Sequence, residues 1–453
     1  MHFANSRNLI VAVASLCTAA LATGCGGSNN NKTSTVPALN ACLADNPTRP
    51  ASLISVLETI QTAINGKGTP SETYVGVMAN QNSRNWTPAQ AGFTQAQTEL
   101  KCLGDFHFPP ASTDPNQADF DFDQQAALSA WTTGMQGSYS SVLDGTVHTV
   151  AYPKANAIAL SAKTAGALDI QINAAIDVGI PVIGFDSDSP ASNRALFVGE
   201  YNSESGTAAA SELIALLGTT TTGTVEILEG KTAGAPGDSQ YDRVQSILAA
   251  FAATQVGSPT TTTVGTGATA VKSVVTIYSS PTFPSLTLVT ETSIDGVNFI
   301  VPTPTMVSTY PAAGTTPTSP LVGVITVDSN VGPLLADWLQ LEYANSKNPH
   351  IQVVTWDTNS PILADIQNGI VQATVAQRAY FYGYLSVYIG YAMAALGQDA
   401  VMTLLAPFLI ADPSTLKDGA VDFLSAGTDL ITADNVTDYF TYQSQCLGVT
   451  QGY

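Results

Sequence analysis

Two stretches of the chain are near copies: Val182-Ile-Gly-Phe-Asp-Ser-Asp-Ser-Pro190 and Val353-Val-Thr-Trp-Asp-Thr-Asn-Ser-Pro361. Each is an apolar run that ends in an aromatic residue followed by aspartate. An apolar run of this length, preceded by helical spacing and closed by a polar turn, reads as a buried parallel strand with a loop at its carboxyl end. Open α/β sheets bind ligands at that end. Asp186 and Asp357 would accept hydrogen bonds there, beside the flat rings of Phe185 and Trp356. The duplication predicts two similar lobes that present these groups to one shared cleft.

Other readings of the same residues stay open. An aspartate after a strand also caps the next helix. Two carboxylates across a cleft could act as the acid and base of a glycosidase, although the chain has no Gly-x-Ser-x-Gly, HExxH or P-loop motif. The run Asp119-Phe-Asp-Phe-Asp123 alternates like a calcium loop but lacks the Gly and terminal Glu such a loop needs, so it reads as a solvated helix start. His2, His107, His148 and His350 form no HxH or HxxxH cluster. No metal and no cofactor are expected.

Strands are predicted at 74–79, 157–161, 181–185, 224–228, 321–327, 352–356 and 371–376. They alternate with helices at 88–100, 167–178, 202–217, 242–253, 332–343 and 362–368. This order implies βαβ units and a parallel sheet in each half. The fold class is therefore α/β, with two Rossmann-like lobes. Segment 257–320, rich in Thr, Pro and Ser, breaks the alternation and reads as an insertion with strand-like pieces.

The N-terminus reads as an export signal. Arg7 precedes an apolar run over 9–22, which is shorter than the ~20 residues a helix needs to cross a bilayer. Leu21-Ala-Thr-Gly-Cys25 resembles the lipobox of bacterial lipoproteins, so Cys25 is the expected lipidation site, ordinary cleavage nearby being the alternative. A Gly/Ser/Asn-rich tether at 26–40 and a helical extension at 41–72 come next. About 430 residues remain beyond the signal, enough for two or three domains. The 15 Lys+Arg against 35 Asp+Glu disfavour nucleic acid as a partner. Cys42, Cys102 and Cys446 allow one disulfide in an oxidising compartment, with the pairing open.

The order and spacing of several segments resemble the type I periplasmic binding proteins of the ribose-binding class, which serve sugar ABC importers. These segments are Gly179-Ile-Pro-Val-Ile-Gly-Phe-Asp-Ser-Asp188, Phe197-Val-Gly-Glu-Tyr-Asn-Ser-Glu-Ser-Gly206, 353–377 and Ala426-Gly-Thr-Asp-Leu-Ile-Thr-Ala-Asp-Asn-Val436. The resemblance spans roughly 73–439. It implies a first lobe of 73–200 plus 378–423 and a second of 201–377 plus 424–453. Three crossings near 198–202, 373–378 and 424–429 would join them as a hinge.

Carried over residue by residue, the family's ligand contacts fall on Asn85, Trp86, Asp186, Arg243, Asn330, Trp356, Asp357 and Gln377. Asp328 is an alternative register for Asn330. Trp86 could also be ordinary packing, and Arg243 could pair with Asp242 or Glu229. The chemistry of these side chains suits a sugar, whose hydroxyls need both acceptors and donors and whose C–H faces stack on rings. The resemblance implies a monomeric, non-enzymatic protein that is exported to the periplasm or cell envelope. It would capture a monosaccharide for an ABC permease and touch the membrane only through its N-terminal lipid. A sensor of the same fold, feeding a chemoreceptor or histidine kinase, is the alternative.

Overall fold

The computed structural model describes residues 51–66, 72–82, 86–110, 118–142, 145–218, 221–229, 239–264, 271–293, 301–310, 317–345, 351–358, 360–411 and 421–446. Cys25, Cys42, Asn85 and the tether lie outside them. In chain order the first part runs α1 (Ala51–Asn65), β1 (Tyr74–Met78), α2 (Thr87–Leu100), β2 (Leu103–His107), α3 (Ala118–Thr133), β3 (Gly137–Ser140), β4 (Val147–Val150), β5 (Ala157–Leu160), α4 (Asp169–Asp177), β6 (Val182–Phe185) and β7 (Leu196–Gly199). The middle runs α5 (Asn202–Leu217), β8 (Gly223–Glu229), α6 (Ser239–Ala250), β9 (Thr254–Gln255), β10 (Thr260–Val264), β11 (Val271–Ser279), β12 (Leu286–Ser293), α7 (Pro304–Thr309), β13 (Leu321–Thr326), α8 (Val331–Asn345), β14 (Gln352–Trp356), α9 (Ser360–Gln367) and β15 (Ala373–Gln377). The chain closes with α10 (Ala379–Leu396), α11 (Gln398–Leu405), β16 (Phe423–Ser425), β17 (Thr428–Thr432) and α12 (Val436–Cys446).

The strands form two large sheets, and β3 and β4 pair separately as an antiparallel ribbon. The first has the order β16-β7-β6-β5-β1-β2 and is parallel throughout. The second has the order β10-β11-β12-β8-β13-β14-β15-β17, with β9 paired to β11. It is parallel from β12 to β15 and antiparallel at both ends. The apolar runs of β1, β5, β6 and β7 are buried along their whole length, as expected of parallel strands covered on both faces. The chain passes between the sheets three times, from β7 into α5, from β15 into α10 and from β16 into β17.

Several expectations shift. Strand β12 pairs in parallel with β8, so 286–293 belongs to the main sheet, and the added edge consists of β9, β10 and β11. The β-branched Thr287, Val289, Thr290 and Thr292 favour the strand expected at 286–291, but its pairing with β8 is not legible from the segment itself. Strand β16 joins the first sheet through Ser425, two residues beyond the expected boundary at 423. The predicted helix 242–253 ends at Ala250, because Ala252 already has φ 50°. Strand β2 and helices α10 and α11 escaped the periodicity reading. Asp119 and Asp123 do begin a helix, but they are buried, not solvated. Asp119 accepts from Ser141 Oγ at 2.7 Å and the Val142 amide at 2.7 Å, and Asp123 lies 2.5 Å from His107 Nε2. Cys102 is buried and unbridged among the described residues.

Helix α10 holds the first lobe together. It is buried continuously from Tyr380 to Met393 and lies across α2 at a point where two glycines meet. A Cβ at Gly383 would sit 1.9 Å from the Ala89 carbonyl oxygen, and one at Gly92 would sit 2.1 Å from that of Tyr380. Neither obstacle is a flexible side chain, so the helices would have to part. Beside this crossing the buried Glu99 accepts from the hydroxyls of Tyr384 and Tyr388 and from Gln95 Nε2 at 2.7 Å. Overpacking of this kind costs about 1–3 kcal/mol. Gly383→Ala should therefore lower the unfolding free energy by about that amount in urea titration, and an unchanged midpoint would show that the helices separate freely.

Candidate ligand-binding cleft

A cavity of about 160 Å³ opens between the carboxyl ends of the two sheets. Asn80, Gln81, Trp86 and Asp186 line it from the first sheet's side, Ser329, Asp357 and Thr358 from the second, and Gln377, Ala379 and Tyr382 from the crossing into α10. A cavity needs roughly 10–15 Å³ by this measure to hold a single water, so this one has room for a small-molecule ligand.

The two aspartates reach the cavity by the same backbone geometry. Asp186 has φ 59° and Asp357 φ 62°, the left-handed region that Asp tolerates better than most residues. Each amide still bonds back to the neighbouring strand, Asp186 to the Val198 carbonyl at 3.0 Å and Asp357 to the Val375 carbonyl at 2.7 Å. The strand ladder therefore runs one residue past the point where the chain turns.

Hydrogen bonds then converge on each carboxylate. In the first lobe Trp86 Nε1 donates to Asn80 Oδ1 at 3.2 Å, and Asn80 Nδ2 donates to Ser187 Oγ at 3.4 Å. Ser187 Oγ and Ser161 Oγ both donate to Asp186 Oδ2, at 3.2 and 3.1 Å. In the second lobe Tyr382 donates its hydroxyl to Gln377 Oε1 at 3.2 Å, and Gln377 Nε2 donates to Asp357 Oδ2 at 3.5 Å. The Oδ1 atom of each aspartate receives no hydrogen bond from the described residues. Two acceptors are thus left for a ligand.

Burial raises the pKa of both carboxyls. For Asp357 it outweighs the opposing pull of Arg243 and pushes the pKa up to about 7; Glu200, Asp328 and Asp186 add in the same direction. Asp186 is raised by burial against the pull of Ser161, Ser187 and Arg243.

Among the expected site residues, Trp86, Asp186, Asp357 and Gln377 line the cavity, and Asn85 lies outside the described residues. Three expected contacts are displaced. Asn330 is exposed, with its amide donating to Asp328 Oδ1 at 2.8 Å; its neighbour Ser329 faces the cavity instead. The alternative, Asp328, is occupied by Gln240 Nε2 at 2.7 Å. Trp356 is fully buried in the core of the second lobe, because alternation along β14 turns its ring away from the cavity.

Arg243 stacks on the Trp356 ring, 4.6 Å from its centroid. It is not among the lining residues. Its Nη2 pairs with Glu200, its Nε donates to Asn202 Oδ1 at 3.1 Å, and its Nη1 donates to the Val327 carbonyl at 3.0 Å. Its partner is thus Glu200 at the first crossing, not Asp242 or Glu229. Tyr382 escaped the sequence reading. The available signal was its place one turn into the helix that comes after Gln377. Phe185 braces the aromatic side of the cavity, edge-on to Trp86 at 5.6 Å and stacked with Tyr382 at 6.4 Å.

The Arg243–Glu200 pair is buried on both sides. Removing one partner of such a pair costs about 3–5 kcal/mol, because the other charge stays buried and unpaired. Arg243→Met should destabilise the protein by about that amount in denaturant titration, and adding Glu200→Gln should restore most of it. Additive losses in the double variant would rule out the pairing. The raised pKa of Asp357 predicts a pH effect. Unfolding returns the carboxyl to its ordinary value of 3.8, so between about pH 4 and 7 the folded state holds the extra proton. That stabilisation is complete below about pH 4 and is lost as pH rises through about 7. The melting temperature of the ligand-free protein, measured against Asp357→Asn, should fall over this window; a flat difference would mean the carboxyl is ionised throughout.

Residues 74–297 match the family model described as periplasmic binding protein domain. Comparison with curated proteins returns no match. Among solved structures, the fold is similar to that of the sugar-binding protein of a sugar ABC transporter from Bacillus halodurans. The identity is 18% over 81% of this chain and 100% of that one, with a TM-score of 0.52. It is also similar to an arabinose binding protein from Geobacillus stearothermophilus, at 19% identity over 82% and 100% of the two chains and a TM-score of 0.53. A glucose-galactose binding protein from Geobacillus stearothermophilus matches at 16% identity over 81% and 99%, with a TM-score of 0.50.

Proposed function

We propose that the chain, whose residues 74–297 match the periplasmic binding protein domain, captures a monosaccharide between its lobes and delivers it to an ABC permease. The cavity's two-sided lining carries this reading. Asp186 and Asp357 stand on opposite sheets with one acceptor each to spare, Asn80, Gln81, Ser329, Thr358 and Gln377 supply donors and further acceptors, and Trp86 and Tyr382 offer ring surface. A cavity of about 160 Å³ is many times the minimum for one water, which suits a ligand of several heavy atoms such as a monosaccharide. A ligand held from both sheets favours the closed arrangement, since it gains contacts there that an open cleft cannot offer.

The same reading makes the protein a non-enzymatic, monomeric binder of the periplasm or cell envelope, tethered through lipid on Cys25. Among the described residues no helix is long and apolar enough to cross a membrane. The proposed ligand contacts are Asn80, Gln81, Trp86, Asp186, Ser329, Asp357, Thr358, Gln377 and Tyr382, with Arg243 and Trp356 supporting them from behind.

Calorimetry with arabinose, ribose, xylose, glucose and galactose should find a sugar that binds one per chain with micromolar or tighter affinity, about 8 kcal/mol. Asp357→Ala removes a charged acceptor worth about 1.5–3 kcal/mol per bond and should weaken that binding by about tenfold or more. Chemical conversion of the sugar in place of stoichiometric binding would sink the reading.

A further inference from the structure

Provided the occupant is a sugar, the premise on which this inference rests, the charges around the cavity narrow its class. Among the described residues four cations lie near the cleft, and each is engaged elsewhere. Arg243 is held by Glu200, Asn202, the Val327 carbonyl and the Trp356 ring. Arg378, next to Gln377, donates to Asp429 at 2.5 Å and to the Ala426 carbonyl at 3.1 Å. Arg194 is bound by Asp188 and Asp422. Lys163 donates to Gln81 Oε1 at 2.9 Å and lies over the Phe120 ring.

The charges that face the cavity directly are all negative among the described residues: Asp186 and Asp357. The side chains that hydrogen-bond them, Ser161, Ser187 and Gln377, are neutral. Glu200 and Asp328 lie within electrostatic reach of Asp357, and Glu200 offsets part of the pull of Arg243 on both cavity acids.

A neutral sugar that closes this cleft would offer the two buried acids hydroxyl donors only, and burial then favours a proton on Asp357. An ammonium group on the same ring would neutralise one of them through a charge-assisted hydrogen bond, roughly twice as strong as a neutral one, in a site too enclosed for salt to screen it well. A carboxylate on the ring would meet repulsion from the same acids. We propose that the cleft selects an amino sugar, with its amine protonated and facing the Asp186–Asp357 side, over the neutral parent sugar, and that it excludes uronates.

The test is titration calorimetry of the full chain at pH 7. Glucosamine, galactosamine and mannosamine are each compared with the parent hexose and the N-acetyl derivative, and glucuronate and galacturonate with their parents. At least one amino sugar is expected to bind tenfold or more tightly than its parent, to lose that advantage on N-acetylation, and to outrank both uronates. A neutral hexose or pentose that binds as tightly as every amino sugar overturns the inference and leaves the sugar-binding reading standing. Failure of neutral and amino sugars alike to bind overturns both. The preference should also shrink in Asp186→Asn or Asp357→Asn, with circular dichroism confirming the fold. An undiminished ratio in both variants overturns the assignment to these acids.

Discussion

The cleft depends on one backbone constraint applied twice: an aspartate in the left-handed region just beyond a buried strand. At φ 59° and 62° each residue gives up about 1 kcal/mol of conformational preference. In return it keeps its amide in the ladder while its carboxylate swings past the sheet's end. Without that turn the side chain would continue the strand's alternation and point into a packed face. With it, two acids from separate sheets meet in one cavity, and Ser161, Ser187, Gln377 and the Trp86–Asn80 relay arrange themselves around them.

The aromatic residues before the two aspartates have diverged in role. Phe185 packs against Trp86 and Tyr382, so it fixes rings that line the cavity. Trp356 supports Arg243 instead, and Arg243 ties the second lobe to Glu200 where the chain first crosses. Arg378 plays a similar part between the second and third crossings, bonding Asp429 and the Ala426 carbonyl. The hinge is therefore laced by two arginines that never enter the cavity. A single repeated sequence element supplies an aromatic wall on one side and a strut for the hinge on the other.

Much of this was legible in the sequence. Continuous apolar runs gave the parallel strands, and the repeated aromatic-Asp step marked both sides of the cleft. What escaped depends on three-dimensional placement. Nothing local distinguishes Asn330, which is exposed, from Ser329, which faces the cavity, since the turn after β13 decides between them. The repeat equates Trp356 with Phe185 and so makes it a stacking surface, whereas in the structure it is buried in the second lobe's core. Tyr382 belongs to a helix so apolar on every side that it carries no amphipathic signature, although that same uniformity is what lets the helix fill the centre of the first lobe.

Helix α1 is more than a leader to the first lobe. Leu53, Val56, Leu57, Ile60 and Ile64 are buried, it packs on α10 and α11, and Gln61 Nε2 donates to the Tyr388 hydroxyl at 3.2 Å. Among the described residues, α1 is thereby mortised into the first lobe. Any pull or fixation transmitted through it falls on the first lobe, which becomes the stator. The second lobe connects to it through the crossings that Arg243 and Arg378 lace.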